Sequence, residues 1–318
     1  MSKIAQISAA IATLGRPEGL ARCLDALLSG SVLPAEVIIV DQSDNDATEK
    51  IVLSRQSSRV PIVYVRQSRR GLSASRNGAL ARVSCPLVAV TDDDCVPDPG
   101  WIATIVRALS SETAPDALTG RVLPFGPESP DTYVVSARES LLRQDFAGKT
   151  SPWLIGSGGN FAVKQRWLES VGGWDERLGA GSPGKAAEDM DLFYRLLCAG
   201  ARIRYEPDAL VFHERATKSR RLKTRWSYGY GMGAFCCLWL RRGDPYAVRV
   251  LGRWLRWQCW DFTIAAARRQ WLEAYQRWLS LRGTVCGLIY GFKVVSAECG
   301  ALHNTTAKDR RGKLRSTH

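Results

Sequence analysis

The 318 residues include only three His and three Met, and no Cys-x-x-Cys pair, and these shortages exclude several kinds of protein. Nine Cys is an odd number, and no His/Cys cluster accompanies them, so a zinc site and a disulfide framework both lack support and a reducing cytosol is expected. No Gly-x-x-x-x-Gly-Lys-Ser/Thr run occurs, which argues against a P-loop. Met-Ser-Lys-Ile-Ala-Gln-Ile-Ser at the start has no charged stretch followed by a long apolar one, so no secretory signal is expected. Long apolar runs are missing too: the longest, Gly283 to Val295, includes Lys293 and falls short of the roughly 20 residues a membrane span needs. Acidic residues thin out late in the chain. Residues 1–214 hold 23 Lys+Arg against 26 Asp+Glu, whereas 215–318 hold 21 against 5, so the whole net charge of +13 arises in the last third. Seven of the eleven Trp lie there as well, which points to an anionic partner surface.

What the chain has in quantity is short apolar runs that end in polar loops. The clearest runs from Val88 to Pro97, where Val-Ala-Val breaks off into Asp92-Asp93-Asp94. An apolar run of this kind predicts a buried strand of a parallel sheet, and ligands bind beyond the carboxyl ends of such strands. Three adjacent acids there suit either a divalent ion on a diphosphate, Mg²⁺ or Mn²⁺, or a solvated turn that caps the next helix. Ile4–Ala12, Val37–Val40 and Pro61–Val65 are expected to be strands of the same sheet, with helices over Leu20–Leu28, around Arg76 and Asn77, and over Trp101–Leu109. This alternation predicts an α/β fold whose strands deliver Thr13, Arg16, Asp41, Arg76 and the Asp triplet to one crevice. Asp41 suits the imide of a uracil or the hydroxyls of a ribose, and Arg76 a phosphate; the alternatives are a turn former and a surface cation.

Ala117–Leu123 is expected to be a further strand, and residues 124–150, rich in Pro, Gly and polar groups, an excursion near the crevice. In Gly156-Ser157-Gly158-Gly159-Asn160 the backbone approaches either a substrate or a tightly packed neighbouring strand. Gly172-Gly173-Trp174 and a Gly-rich loop precede Glu188-Asp189-Met190-Asp191, which opens an amphipathic helix. These acids are either a general base beneath a closing loop or ordinary first-turn acids. Two short strands are expected over Ile203–Pro207 and Ala209–His213, where His213 is either a metal or phosphate contact or a structural histidine.

Taken together, these residues resemble the family 2 glycosyltransferases over roughly residues 5–240. The likeness rests on Thr13 with Arg16-Pro17, Val40-Asp41, Ala74-Ser75-Arg76-Asn77-Gly78, the Asp92–Asp94 triplet as a DxD element, and Gly172–Glu176 followed by Glu188–Asp191. It departs at Gln42, where many members carry a second acid. The resemblance implies a GT-A fold with a mainly parallel central sheet, and inverting transfer of a sugar from a nucleotide diphosphate sugar to an acceptor hydroxyl on a polysaccharide or lipid-linked glycan. It places the catalytic base at Asp189, a divalent ion (Mn²⁺ or Mg²⁺) at Asp92, Asp94 and His213, and the donor at Thr13, Arg16, Asp41, Arg76, Asp92 and Asp93. Gly158, Asn160, Trp174, Glu188 and Asp191 are then expected around the acceptor or its loop.

Residues 1–240 are expected to form the catalytic domain, 241–302 a basic, Trp-rich helical extension, and 303–318 a disordered tail. The run Arg215 to Arg225 suits the wall of an acceptor site, its Arg meeting a phosphate. Arg249, Arg253 and Arg256 share a helical stripe beside Trp254 and Trp257, which fits either a membrane interface or a hairpin packed on the catalytic domain. The expected location is cytoplasmic, peripheral on the inner face of a membrane. The sequence also fits two rival functions: a basic nucleic-acid- or membrane-binding protein, and a non-catalytic nucleotide-sugar binder. Nucleic acid is not an expected partner, because the crevice is acidic and no helix-turn-helix, zinc-finger or RRM signature occurs.

Overall fold

The computed structural model describes residues 2–56, 59–68 and 70–313, with side chains as far as Lys293. The chain opens with β1 (Lys3–Thr13), α1 (Pro17–Leu28), β2 (Val32–Asp41), α2 (Ala47–Leu53), β3 (Ile62–Arg66) and α3 (Leu72–Leu80). Pro17 begins α1, where its missing N–H costs nothing, and Leu20, Cys23, Leu24 and Leu27 bury one face of that helix. Next come β4 (Leu87–Asp92), β5 (Cys95–Pro97), α4 (Trp101–Leu109) and β6 (Ala117–Phe125). Strands β7 (Thr132–Tyr133) and β8 (Gln144–Phe146) lie within the stretch read as an excursion, so short pairings tie it to the body of the fold.

The first unit continues with β9 (Asn160–Lys164), α5 (Gln165–Val171), α6 (Glu188–Cys198), β10 (Ile203–Glu214) and β11 (Ala216–Thr217). The sheet runs β3-β2-β1-β4-β9-β6-β10-β5, with β8 paired to β10. Parallel pairing joins β3, β2, β1 and β4, and also β6 and β10, whereas β9 runs antiparallel between β4 and β6. The sheet is therefore mixed, though mostly parallel. The two strands expected at 203–213 are one, with its register shifted between Glu206 and Leu210.

Both sheet faces are covered. Ile7, Ala9, Ile11, Val37 and Ile39 pack with Leu20 and Leu24 of α1 and with Trp101 and Ile105 of α4. Ala10, Ile38, Val40, Val88 and Val90 face the cluster holding Phe161, Leu192, Phe193 and Leu196. Successive residues of a strand point to opposite faces, and two-sided burial is why these strands read as unbroken apolar runs.

The chain divides into two compact units, Met1–Pro183 with Glu188–Arg221, and Gly184–Ala187 with Leu222–His318. The second unit begins inside α7 (Lys218–Arg241), ahead of the boundary that composition places at 241, and continues through α8 (Tyr246–Ala267) and α9 (Trp271–Lys313). Within it α7 and α9 approach backbone to backbone: a Cβ on Gly229 or Gly283 would run into the main chain of Ser280 or Trp226. Among the described residues no helix is long and apolar enough to cross a membrane. The tail expected at 303–318 lies outside the described side chains and, from 314, outside the described backbone.

Candidate active site

All the candidate site residues belong to the first unit. Parallel β1, β2 and β4 bring Thr13, Asp41 and Asp92 to one edge of the sheet, with Thr13 opposite Asp41 and Ala12 opposite Asp92. The turn between β4 and β5 then sends the three acids in different directions. Asp92 accepts a hydrogen bond from Arg76 Nη2 at 2.8 Å. Asp93 accepts from Thr13 Oγ1 at 2.9 Å and from Arg16 Nη1 at 3.1 Å. Asp94 accepts from Arg16 at 2.5 Å and from Arg220 at 2.7 Å, and His213 Nε2 lies 3.5 Å from its other oxygen.

Charge follows this division. Burial and the neighbouring charge of Asp94 push the Asp93 carboxyl up to about 6, with Arg16 acting in the opposite sense. Burial also presses on Asp94, but His213, Arg16 and Arg220 outweigh it and hold that carboxyl below its ordinary value.

Arg76 links the triplet to α6. The residue is 4% exposed, and its guanidinium donates to Asp92 and, at 3.2 Å, to Glu188, with the ring of Trp174 5.9 Å away. Burial, reinforced by the charge of Asp189 and partly offset by Arg76, pushes Glu188 up to about 7. Asp189 accepts the Gly158 N–H at 3.0 Å. Glycine is needed at this crossing. A Cβ on Gly158 would sit 2.9 Å from that of Asp189 and 3.0 Å from Arg76 Nη1, and one on Gly159 would sit 2.6 Å from Asp92 Oδ2.

Asp189, Arg76, Asp92, Asp93, Asp94, Arg16, Thr13, Glu188, Gly158 and His213 thus meet in one crevice, and Trp174 backs Arg76. Four expected residues are held by further partners. Asp92 is paired with Arg76, while the metal-type donors within reach of one another among the described residues are Asp94, Cys95 and His213. Asp41 is fully buried, its oxygens accepting from the N–H and hydroxyl of Ser43 and the hydroxyl of Tyr64. Asn160 is also fully buried, accepting from Trp101 Nε1 and donating to the carbonyls of Arg121 and Ala209, so its side chain braces the sheet. Asp191 stands two residues past Asp189, about 200° around the helix, and pairs with Arg195 at 2.7 Å.

Sequence reasoning missed Cys95 and the pairing of Arg220 with Asp94. Only the basic run at 215–225 gave a signal for the latter.

A mostly parallel sheet with an acid triplet after its fourth strand and an acidic helix start beside it defines the GT-A class of nucleotide-diphospho-sugar transferase folds. Residues 8–172 match the pattern of "Glycosyl transferase family 2", and the chain belongs to that family. It is 31% identical over 188 residues to a pre-mycofactocin glycosyltransferase of Mycobacterium tuberculosis, a match covering 57% of this chain and 38% of the relative. It is 27% identical over 248 residues to the chondroitin synthase of Escherichia coli, covering 65% and 34%. The matched region is therefore well under half the length of either relative. Among solved structures it is similar to the mannosyltransferase PcManGT from Pyrobaculum calidifontis in complex with GDP-Man and Mn²⁺, with TM-score 0.57, 16% identity, and 89% of this chain and 87% of that one covered. S. aureus TarS 1–349 in complex with UDP aligns at TM-score 0.51 and 14% identity, over 95% and 92%.

Proposed function

We propose that this chain is an inverting glycosyltransferase, moving a sugar from a nucleotide diphosphate donor to a hydroxyl of a glycan or lipid-linked acceptor. The observation that carries the proposal is the bridge through Arg76, one buried guanidinium shared by Asp92 of the acid triplet and Glu188, with Asp189 beside it across Gly158. Residues nearly a hundred positions apart in sequence thereby face one another.

In this reading Asp189, fixed by the Gly158 N–H, accepts the proton of the acceptor hydroxyl as its oxygen attacks the anomeric carbon. Arg16, Arg76 and Arg220 stabilise the negative charge that builds on the departing diphosphate. The surroundings of Asp94 fit a divalent ion: His213 Nε2 lies 3.5 Å from one carboxylate oxygen, and the other ring nitrogen, 2.7 Å from the Glu214 carbonyl, orients the ring. A mixed oxygen and imidazole set favours Mn²⁺ over Mg²⁺. Such an ion supplies positive charge to the diphosphate.

The test is release of nucleoside diphosphate across a panel of donor sugars, with donor binding followed separately by calorimetry. Asp189→Asn is expected to lower turnover by about 10²-fold or more with donor affinity kept. Unchanged turnover would remove Asp189 from the role of base. A wild-type chain that binds no nucleotide sugar would end the proposal altogether.

A further inference from the structure

Helix α9 carries large aromatic and aliphatic side chains on its outer face and several polar ones on its packed face. Its packed face buries polar groups: Gln276, Ser280 and Thr284 are at most 3% exposed, and Gln258 of α8 is 1% exposed. Its outer face carries Trp271 at 69% exposure, Tyr275 at 48%, Trp278 at 42%, Val285 at 56%, Ile289 at 52% and Phe292 at 61%. With Arg282 between Trp278 and Val285, these positions step alternately by four and three residues. At about 100° per residue they stay within an arc of roughly 100°, and at about 1.5 Å per residue they form a strip some 30 Å long. Large aromatic side chains exposed in such a row are not the scattered surface apolar residues that every protein has.

The strip is edged with positive charge. Arg282 lies over the Trp278 ring at 5.5 Å, Arg241 over Phe292 at 4.8 Å, and Arg277 over Trp257 at 5.3 Å. On α8 the exposed Trp257 and Trp260 share a stripe with Arg249, Arg253 and Arg256. Residues 222–318 hold 17 Lys+Arg against 5 Asp+Glu, a net of +12.

We propose that the outer face of the α8–α9 hairpin docks on an anionic lipid bilayer and lies in the plane of the headgroups. Trp and Tyr rings suit the boundary between acyl chains and water, and the Arg rim meets anionic headgroups. With no crossing helix among the described residues, this contact lies on the membrane and not through it. The spacing also fits a coiled-coil seam between two copies of the chain. Against that, Arg282 occupies the middle of the strip, the flanking Ala274 and Leu279 are buried in the chain's own packing, and each copy would bring its excess positive charge to the contact.

The experiment is flotation of the full chain with phosphatidylcholine vesicles and with vesicles containing about 30% phosphatidylglycerol, at low and high salt. Binding is expected to be about tenfold stronger with the anionic lipid and to weaken with salt. Trp271→Ser with Tyr275→Ser and Trp278→Ser is expected to cut it about tenfold at unchanged melting temperature. Quenching of wild-type tryptophan by brominated acyl chains, expected to be strong, needs no variant to fold. No preference for anionic vesicles, no quenching, or a solution dimer that the triple substitution turns into a monomer would each overturn the proposal.

Discussion

Arg76 is the residue on which the crevice depends, because it satisfies two carboxylates with one planar fork while almost wholly removed from water. Burying a cation is tolerable only with such partners, and removing it strands both acids. Arg76→Ala is therefore expected to lower stability by about 3–5 kcal/mol in urea unfolding. Arg76→Lys should recover only part of that, since an ammonium cannot reach two carboxylates with the same geometry. Glu188, on the other side of the bridge, makes stability depend on pH. In the folded chain it keeps its proton to about 7, whereas an ordinary glutamate releases it near 4.5. The folded state thus holds the extra proton in between, and the resulting stabilisation, complete below the lower value, is lost as pH rises through the upper one. Relative to wild type, Glu188→Gln should gain melting temperature as pH is raised from about 5 to about 8; a difference that does not change with pH would show that Glu188 does not titrate there.

At the scale of elements, the crevice depends on two short structures: the turn that fans out Asp92, Asp93 and Asp94, and the glycine pair that lets β9 approach it. Gly159→Ala places a Cβ 2.6 Å from Asp92 Oδ2, so the carboxylate that accepts from Arg76 through Oδ1 must shift or turn. Donor affinity is expected to fall about tenfold with little change in melting temperature, as calorimetry beside thermal unfolding would show. The polar loops at strand ends were legible in the sequence because each follows an unbroken apolar run, and α6 because its acids precede Leu192, Leu196 and Leu197. Strand direction was not. Nothing in Asn160–Lys164 distinguishes a strand running antiparallel between β4 and β6 from one that continues a parallel sheet, since side chains alternate identically in both. The division of roles within the acids was hidden for a related reason. Asp189 and Asp191 look equivalent in a list of residues, but helical geometry puts them on opposite sides. Likewise Asp41 ends its strand as foreseen, yet Ser43 and Tyr64, which occupy its oxygens, carry no sequence signal of that contact.

For the whole molecule, the crevice is assembled from the first strand, the triplet near residue 93, the start of α6, the end of β10 and the first turn of α7, so it exists only when the entire first unit is folded. A ligand that binds there has no affinity for the unfolded chain and must raise the melting temperature through mass action. At a ligand concentration about 100 times its dissociation constant the stabilisation is about 2.7 kcal/mol, which in a chain of this length corresponds to a rise of about 4 °C. A nucleoside diphosphate with Mn²⁺ is expected to give a shift of that order, and either component alone a smaller one, because the ion and the diphosphate neutralise each other in a site already holding three acids. Asp94→Ala should abolish the increment that depends on the metal while leaving the rise with nucleotide alone, since Arg16 and Arg220 remain. A metal-dependent increment surviving in Asp94→Ala would place the ion elsewhere in the molecule and separate the triplet from the role proposed for it.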